Sequence, residues 1–357
     1  MLLLKLFLLP ISYLYGLVVA LRNKLFDWGI LKSRKFDVPV ISVGNITVGG
    51  TGKSPHVLYL LSLLENNYKM ATVSRGYKRK TKGFLLVEST TTADQCGDEP
   101  KQFKFNHPNA IVAVGEKRAN AIESLLNAEN KPEIVLLDDA FQHRWVKPGL
   151  SILLLDYNHF QEHDFMLPAG TLREFPSGQT RADIIIMTKS PKILSPMEKR
   201  RFTEIINPLE HQSLFFSFIE YKGIKPLTEG AKAFVETMGD YADYKMLLFT
   251  GIANSQPLKD FLYHQAREVL EIKFPDHYDF KTSDLERIAS TFKELISSKK
   301  ILLTTEKDAM RLKDNSLLSI LEKLPLFYIP IEIKFHKENS SFDDKIFQFL
   351  SAHKANS

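Results

Sequence analysis

Cysteine is nearly absent: one residue, Cys96, in a chain of 357. A single thiol excludes an intrachain disulfide framework and a cysteine-based metal cluster, and it suits a reducing compartment. Internal repeats and low-complexity segments are missing too, which excludes a repeat architecture. Neither sign of charge dominates, with 47 Lys and Arg against 42 Asp and Glu and a formal net charge of +5. That mild excess favours anionic partners such as phosphates or acidic lipid, and without any nucleic-acid motif it gives no reason to expect DNA or RNA. With 44% hydrophobic and 25% charged residues, the chain has material for two modest globular domains.

Long hydrophobic runs are scarce, and the exception is residues 2–21, interrupted by Lys5 and Pro10 and followed by Arg22, Lys24, Lys32, Arg34 and Lys35. The run just reaches the length of a spanning helix, although Lys5 falls inside it and Pro10 kinks it. A cleaved signal peptide fits by pattern but exports the nucleotide site read below away from its nucleotide. The leading reading is an interfacial anchor, with apolar side chains in the acyl region and the basic flank on anionic headgroups. In it, residues 1–36 form a membrane-associating helix with a basic flank, and the catalytic body stays on the cytoplasmic side.

The rest of the chain is organised around VPVISVGNITVGGTGKSP, residues 38–55. A short β-branched run leads into crowded glycines, and Lys53 and Ser54 open an apolar-periodic segment, the order strand, loop, helix. Such a loop lets successive N–H groups of Thr47, Val48, Gly49, Gly50, Thr51 and Gly52 converge on one anion at the positive end of a helix. Lys53 then reaches the outer phosphates, and Ser54 offers its hydroxyl to Mg²⁺. The pattern G-x-x-x-x-G-K-[ST] asks for glycine at position 47, where this chain has Thr47.

Downstream, short apolar runs at 70–74, 110–114, 134–137, 151–156 and 184–188 alternate with helical segments. They predict an α/β fold, a P-loop NTPase-like and mostly parallel sheet with helices on both faces, over residues 37–215. Sparser strands at 214–219, 246–250 and 301–305 predict a smaller C-terminal α/β lobe over 216–350, and residues 351–357 read as a polar tail.

An apolar strand ending in Asp138 and Asp139 is the expected carboxylate partner of a P-loop, bringing at least one of the two to the metal. Asp98, in Gly97-Asp98-Glu99-Pro100, reads either as a helix N-cap or as a general base for an attacking hydroxyl. His277, in Phe274-Pro275-Asp276-His277-Tyr278, can orient such a carboxylate, or serve structure alone. Arg173 can stabilise a transferring phosphoryl group, with Glu174 binding metal or fixing the arginine, and a plain surface ion pair is the alternative. The basic stretch from Arg75 to Lys82 is a solvated loop or an anionic-lipid contact. Thr188-Lys189 looks like the start of a guanine-reading loop, but Pro191 stands where the base-reading aspartate belongs.

Taken in order behind an apolar N-terminus, SVGNITVGGTGKSP, SRGY, GDEP, DDAFQH, LPAGTLRE, FPDHY and TTEKDAMRL closely resemble the tetraacyldisaccharide 4′-kinase family of Gram-negative bacteria over about residues 38–312. Two positions depart from the family pattern: Ala140 for a usual glycine and Thr171 for a common proline. The resemblance implies ATP- and Mg²⁺-dependent phosphorylation of the 4′-hydroxyl of an acylated glucosamine disaccharide 1-phosphate, yielding lipid IVA at the cytoplasmic face of the inner membrane. It implies Lys53 and Ser54 as the P-loop pair, Asp98 as catalytic aspartate with His277 in support, Asp138 and Asp139 as the paired aspartates, and Arg173 with Glu174. It supports membrane-surface binding through the N-terminus and implies no obligate protein partner. The alternative is a membrane-associated P-loop ATPase or GTPase without a small-molecule acceptor.

Overall fold

The computed structural model describes residues 2–355 except 161–163, 236–237, 240, 277, 314–316 and 338–340, with side chains from residue 7 onward save that of residue 241. The chain divides into two compact units, residues 1–219 with 333–357, and residues 220–332.

The first unit is built on a nine-stranded sheet. Its strands are β1 (Val40–Asn45), β2 (Met70–Ser74), β3 (Leu85–Val87), β4 (Ile111–Val114), β5 (Ile134–Asp138), β6 (Leu150–Asp156), β7 (Ile184–Thr188) and β8 (Ser213–Tyr221), joined by a last strand at Ile331–Phe335. That last strand lies beside β8, and the order continues β7-β6-β1-β5-β2-β4-β3. The ladders from β8 through β4 are parallel, β3 runs antiparallel on β4, and bonds from Lys222 N to Pro330 O and from His336 N to Phe216 O tie the last strand to β8. Strands β1, β2, β4, β5, β6 and β7 are buried along their whole length, as expected where helices cover both faces of a parallel sheet. The chain leaves β1 toward β2 on one side and later fills β6, β7 and β8 on the other. The loops that follow β1, β5 and β6 therefore open on the crevice where ligands bind in such sheets.

The helix Lys53–Leu64 lies against this sheet through Val57, Leu60, Leu61 and Leu64, whose spacing of three and four keeps them on one face. The expected lobe boundary at residue 215 falls inside β8, whose residues Ser213–Phe216 pair with Ile184–Met187 of β7 and so extend the main sheet. Residues 333–357 rejoin the first unit: helix Phe342–Ala355 buries Phe342, Ile346 and Leu350 in the core that also holds Ile41, Ile152 and Ile186. Nothing in local periodicity signals such a return.

The second unit carries a five-stranded sheet of β9 (Lys225–Pro226), β10 (Lys245–Thr250), β11 (Glu268–Lys273), β12 (Lys300–Thr305) and β13 (Leu326–Ile329), in the order β11-β10-β12-β13-β9. Only the pairing of β9 is antiparallel. After β12, the TTEKDAMRL segment buries an ion pair between Asp308 and Arg311 at 2.8 Å. Asp308 also accepts from Gly251 N at 3.0 Å, and Arg311 donates to Gly251 O at 3.2 Å. A buried pair is tolerated when its remaining hydrogen-bonding groups are satisfied, and here they clamp the turn after β10.

Candidate functional site

Strand β1 delivers the chain into a loop whose shape is set by two left-handed glycines, Gly49 at φ +110° and Gly52 at φ +87°. A side chain at Gly49 or Gly50 would meet nothing within 4 Å, so the loop's outer wall is open to a ligand. Its inner wall is closed: Asn45 Nδ2 donates to Thr51 Oγ1 at 2.8 Å, and Thr188 Oγ1 donates to Thr51 O at 2.9 Å. Gly52 caps the helix that Lys53 and Ser54 begin, placing both at its positive end. Thr47 forms an antiparallel bridge with Leu172, an extended conformation that needs no glycine.

The segment 166–174 straps this loop. Val48 N donates to Thr171 O at 2.8 Å and Arg173 N to Ile46 O at 2.8 Å. The Thr171 N–H, which proline would lack, donates to Asp164 at 3.1 Å. The strap aims Arg173 at the end of β5, where Arg173 Nη1 sits 2.8 Å from Asp139 Oδ1. Lys53 Nζ approaches the same oxygen at 3.8 Å.

Asp138 is buried beside them, and its Oδ1 has no hydrogen-bond partner. Burial, followed by the nearby charges of Glu99 and Asp139, holds its carboxyl well above the usual range against the opposing pull of Lys53 and Arg118. Ser54 Oγ donates to Glu99 Oε1 at 2.9 Å. The hydroxyl and the buried carboxyl are an oxygen pair suited to a hard divalent cation, with Glu99 behind the hydroxyl. Among the described residues no group of three or more His, Cys, Asp or Glu could hold a metal by itself. That is the usual state of Mg²⁺ sites, which take one or two carboxylates and complete the shell with substrate phosphates and water.

Asp98 is the first residue of helix Asp98–Asn106, half-buried, and the N-cap position falls to Gly97 at φ +95°. The N-cap reading of Asp98 therefore gives way. A Cβ on Gly76 would lie 2.7 Å from Cys96 O, so the SRGY turn folds closely against the start of GDEP. Within the basic stretch, Arg79 pairs with Glu116 at 2.6 Å and Lys80 with Asp94, which ties part of it to the protein.

Glu174 takes a place other than the expected metal site. Fully buried, it accepts from Gln142 at 2.8 Å, from Asn23 at 3.1 Å and from Arg181 at 2.7 Å, so both its oxygens are committed to positioning. Asn23 belongs to the N-terminal helix Leu2–Asp27, which docks on the same region. Ser12 Oγ accepts from Ala169 N at 2.9 Å, Tyr15 donates to Arg173 O at 3.1 Å, and Arg22 donates to Gln142 O. Arg34 pairs with Glu123 at 2.9 Å, so two cations of the expected headgroup-binding flank, Arg22 and Arg34, are engaged within the protein. Among the described residues no helix is long and apolar enough to cross a membrane. Lys189 pairs with Asp156 at 2.6 Å, and together with the Thr188 bond this makes Thr188-Lys189 a support of the loop.

The structure thus brings Lys53, Ser54, Asp138, Asp139 and Arg173 together, with the 47–52 loop beside them. His277 lies outside the described residues. Sequence reasoning missed Glu99, Asn45 and His56. Glu99 alone carried a signal, its place beside Asp98 at a helix start. His56 is buried, with Nδ1 2.7 Å from Gly52 O and Nε2 3.0 Å from Ser217 Oγ, and burial pushes it down to about 4.

The sequence profile of the family described as tetraacyldisaccharide-1-P 4′-kinase matches residues 4–351. A tetraacyldisaccharide 4′-kinase of Phocaeicola vulgatus is 44% identical over 351 residues, covering 98% of this chain and 96% of its own. That of Flavobacterium johnsoniae is 43% identical over 348 residues, covering 98% of each. Among solved structures, the "apo" form of LpxK from Aquifex aeolicus in complex with ATP is similar with a TM-score of 0.72 at 29% identity, covering 98% of this chain and 99% of that one.

Proposed function

The chain belongs to the tetraacyldisaccharide 4′-kinase family, and on that premise we propose that its P-loop, Asp138, Asp139, Arg173 and Asp98 carry the phosphoryl transfer. It is an ATP-dependent kinase of lipid A biosynthesis that phosphorylates the 4′-hydroxyl of a tetraacyldisaccharide 1-phosphate to give lipid IVA. The observation that carries the assignment of residues is the convergence of Lys53 and Arg173 on Asp139, one residue from the unpartnered oxygen of Asp138.

In this reading the N–H groups of residues 47–52 cradle the phosphates, and Lys53 neutralises charge on the outer ones. Ser54 and Asp138 would hold Mg²⁺, with Glu99 keeping the serine proton turned away. The ion would supply positive charge to offset that of the phosphates. Arg173 leaves Asp139 for the transferring group, a charge-assisted contact to the developing negative charge. Asp98 accepts the proton of the 4′-hydroxyl as its oxygen bonds to phosphorus and the bond to ADP breaks. His277 is assigned to the same step.

We also place the enzyme on an anionic membrane surface at the cytoplasmic side. On the N-terminal helix Phe7, Ile11, Leu14, Leu17, Val18 and Leu21 are each more than half exposed, at spacings that align them along the helix. Beside that helix an apolar groove of about 190 Å³, lined by Leu9, Tyr13, Phe165, Met166, Leu172 and Phe175, offers room for part of an acyl chain.

Turnover of Lys53→Ala tests the assignment. Loss on the order of 10²-fold or more with unchanged folding is expected. Near wild-type turnover would remove the P-loop from the chemistry.

A further inference from the structure

Two successive carbonyls of the loop, those of Thr51 and Gly52, are each tied by a side chain from outside it. Thr188 Oγ1 donates to Thr51 O at 2.9 Å. The His56 ring holds Gly52 O at 2.7 Å, in addition to the helical bond from His56 N at 3.2 Å. A peptide unit is planar and trans, so its N–H points opposite to its C=O. Fixing the oxygens of Thr51 and Gly52 therefore turns the N–H groups of Gly52 and Lys53 outward, to the side where the loop is open.

The ring bond is fixed from behind. A carbonyl only accepts, so Nδ1 carries the proton, and Nε2 of the neutral ring then accepts from Ser217 Oγ at 3.0 Å. Ser217 is fully buried in β8, and its own carbonyl accepts from Ser190 N and Ser190 Oγ, both at 2.9 Å. Ser190 lies two residues beyond Thr188. The two carbonyl ties thus share one support, the end of β7 and the middle of β8, and a Cβ on Gly52 would stand 3.5 Å from His56 Nδ1.

We infer that His56 is a positioning residue for nucleotide binding, holding the Gly52–Lys53 peptide so that its N–H faces the phosphates. The inference rests on the P-loop reading given above. Preorganised donors bind an anion without reorganising when it arrives, so loss of the tie falls on ATP affinity more than on the chemical step.

The test is steady-state kinetics of the full-length enzyme with ATP varied at saturating acceptor, on His56→Leu, His56→Asn and Lys53→Ala. The Asn amide places a donor near the position of Nδ1–H, whereas Leu fills space without one. His56→Leu is expected to raise KM for ATP roughly three- to tenfold with kcat within about twofold, the scale of one well-placed hydrogen bond. His56→Asn is expected to recover most of that loss, and ¹⁵N NMR of the wild type should show the imidazole proton on Nδ1. An unchanged KM in His56→Leu, an equal rise in both His56 variants, or a proton on Nε2 would overturn the inference. If His56→Leu fails to fold, the Asn variant and the tautomer decide. If Lys53→Ala keeps its turnover, the P-loop reading fails. If Lys53→Ala is inactive and His56→Leu binds ATP normally, only the role of His56 falls.

Discussion

Ser54 and Glu99, 45 residues apart in sequence, are joined by a 2.9 Å hydrogen bond from the serine hydroxyl to Glu99 Oε1. The bond joins the P-loop to the GDEP segment, and in the proposed mechanism it orients the hydroxyl. With its proton on Glu99, the serine oxygen keeps its lone pairs for a cation.

Glu99→Gln retains the shape and removes the charge that orients Ser54. We expect a fall of roughly tenfold in apparent Mg²⁺ affinity, the scale seen when a group behind a metal ligand is lost. Titrating activity against free Mg²⁺ at fixed ATP measures it, and a superimposable curve would confine Glu99 to a structural part.

Much of the fold is legible in the chain because apolar strands of a parallel sheet announce themselves: 70–74 and 184–188 occur as β2 and β7. Strand β3, an antiparallel edge strand of three residues with an exposed position, is too short for periodicity to reveal. The approach of Lys53, Asp139 and Arg173 follows from motif chemistry, since a P-loop lysine and a carboxylate at the next strand end must face one crevice. The fate of Glu174 does not, because the donors that engage it, Asn23, Gln142 and Arg181, come from three separate segments. Of the two departures, Thr171 donates a backbone N–H that proline would lack, and Thr47 sits in extended backbone that does not require glycine.

Asp98 and His277 are expected to serve one step. A base in phosphoryl transfer contributes about 10²–10⁴-fold, so Asp98→Ala should lower kcat strongly while ATP still binds. Adding His277→Ala to that variant should cost little more, the non-additivity of residues sharing a task. Losses that multiply in the double variant would separate the two roles.

Membrane attachment is tested better by point changes than by removing the N-terminal helix. Truncation through residue 22 also deletes Ser12, Tyr15 and Arg22, which hold Ala169, Arg173 and Gln142. Leu14 and Leu17 are exposed and outside those contacts. Each buried leucine is worth about 1.5–3 kcal/mol of transfer, so Leu14→Asp with Leu17→Asp should weaken partition onto anionic liposomes at least roughly tenfold. Turnover of a short-chain, water-soluble acceptor should persist. Equal flotation of variant and parent would move the attachment elsewhere.

His56 should also leave a mark on stability. Its pKa falls from 6.5 in the unfolded chain to about 4 in the folded one, because the ring is buried. Between those values the unfolded chain binds a proton that the folded one refuses, so stability rises with pH across that window. Its contribution is complete above pH 6.5 and is withdrawn as pH falls toward 4. The loss comes to roughly 3 kcal/mol, because each tenfold difference in proton affinity between the two states is worth about 1.4 kcal/mol. Asp138, raised by burial, acts in the opposite sense, so the wild-type curve alone does not isolate His56. The difference between wild type and His56→Asn does, since the amide does not titrate. Trp28 and Trp145 are the chain's two tryptophans and both lie in the first unit, so their fluorescence in urea reports that unit's unfolding. His56→Asn should lose less stability than wild type between pH 6.5 and 4.5, and parallel curves would mean that His56 is protonated in the folded enzyme as readily as in the unfolded one.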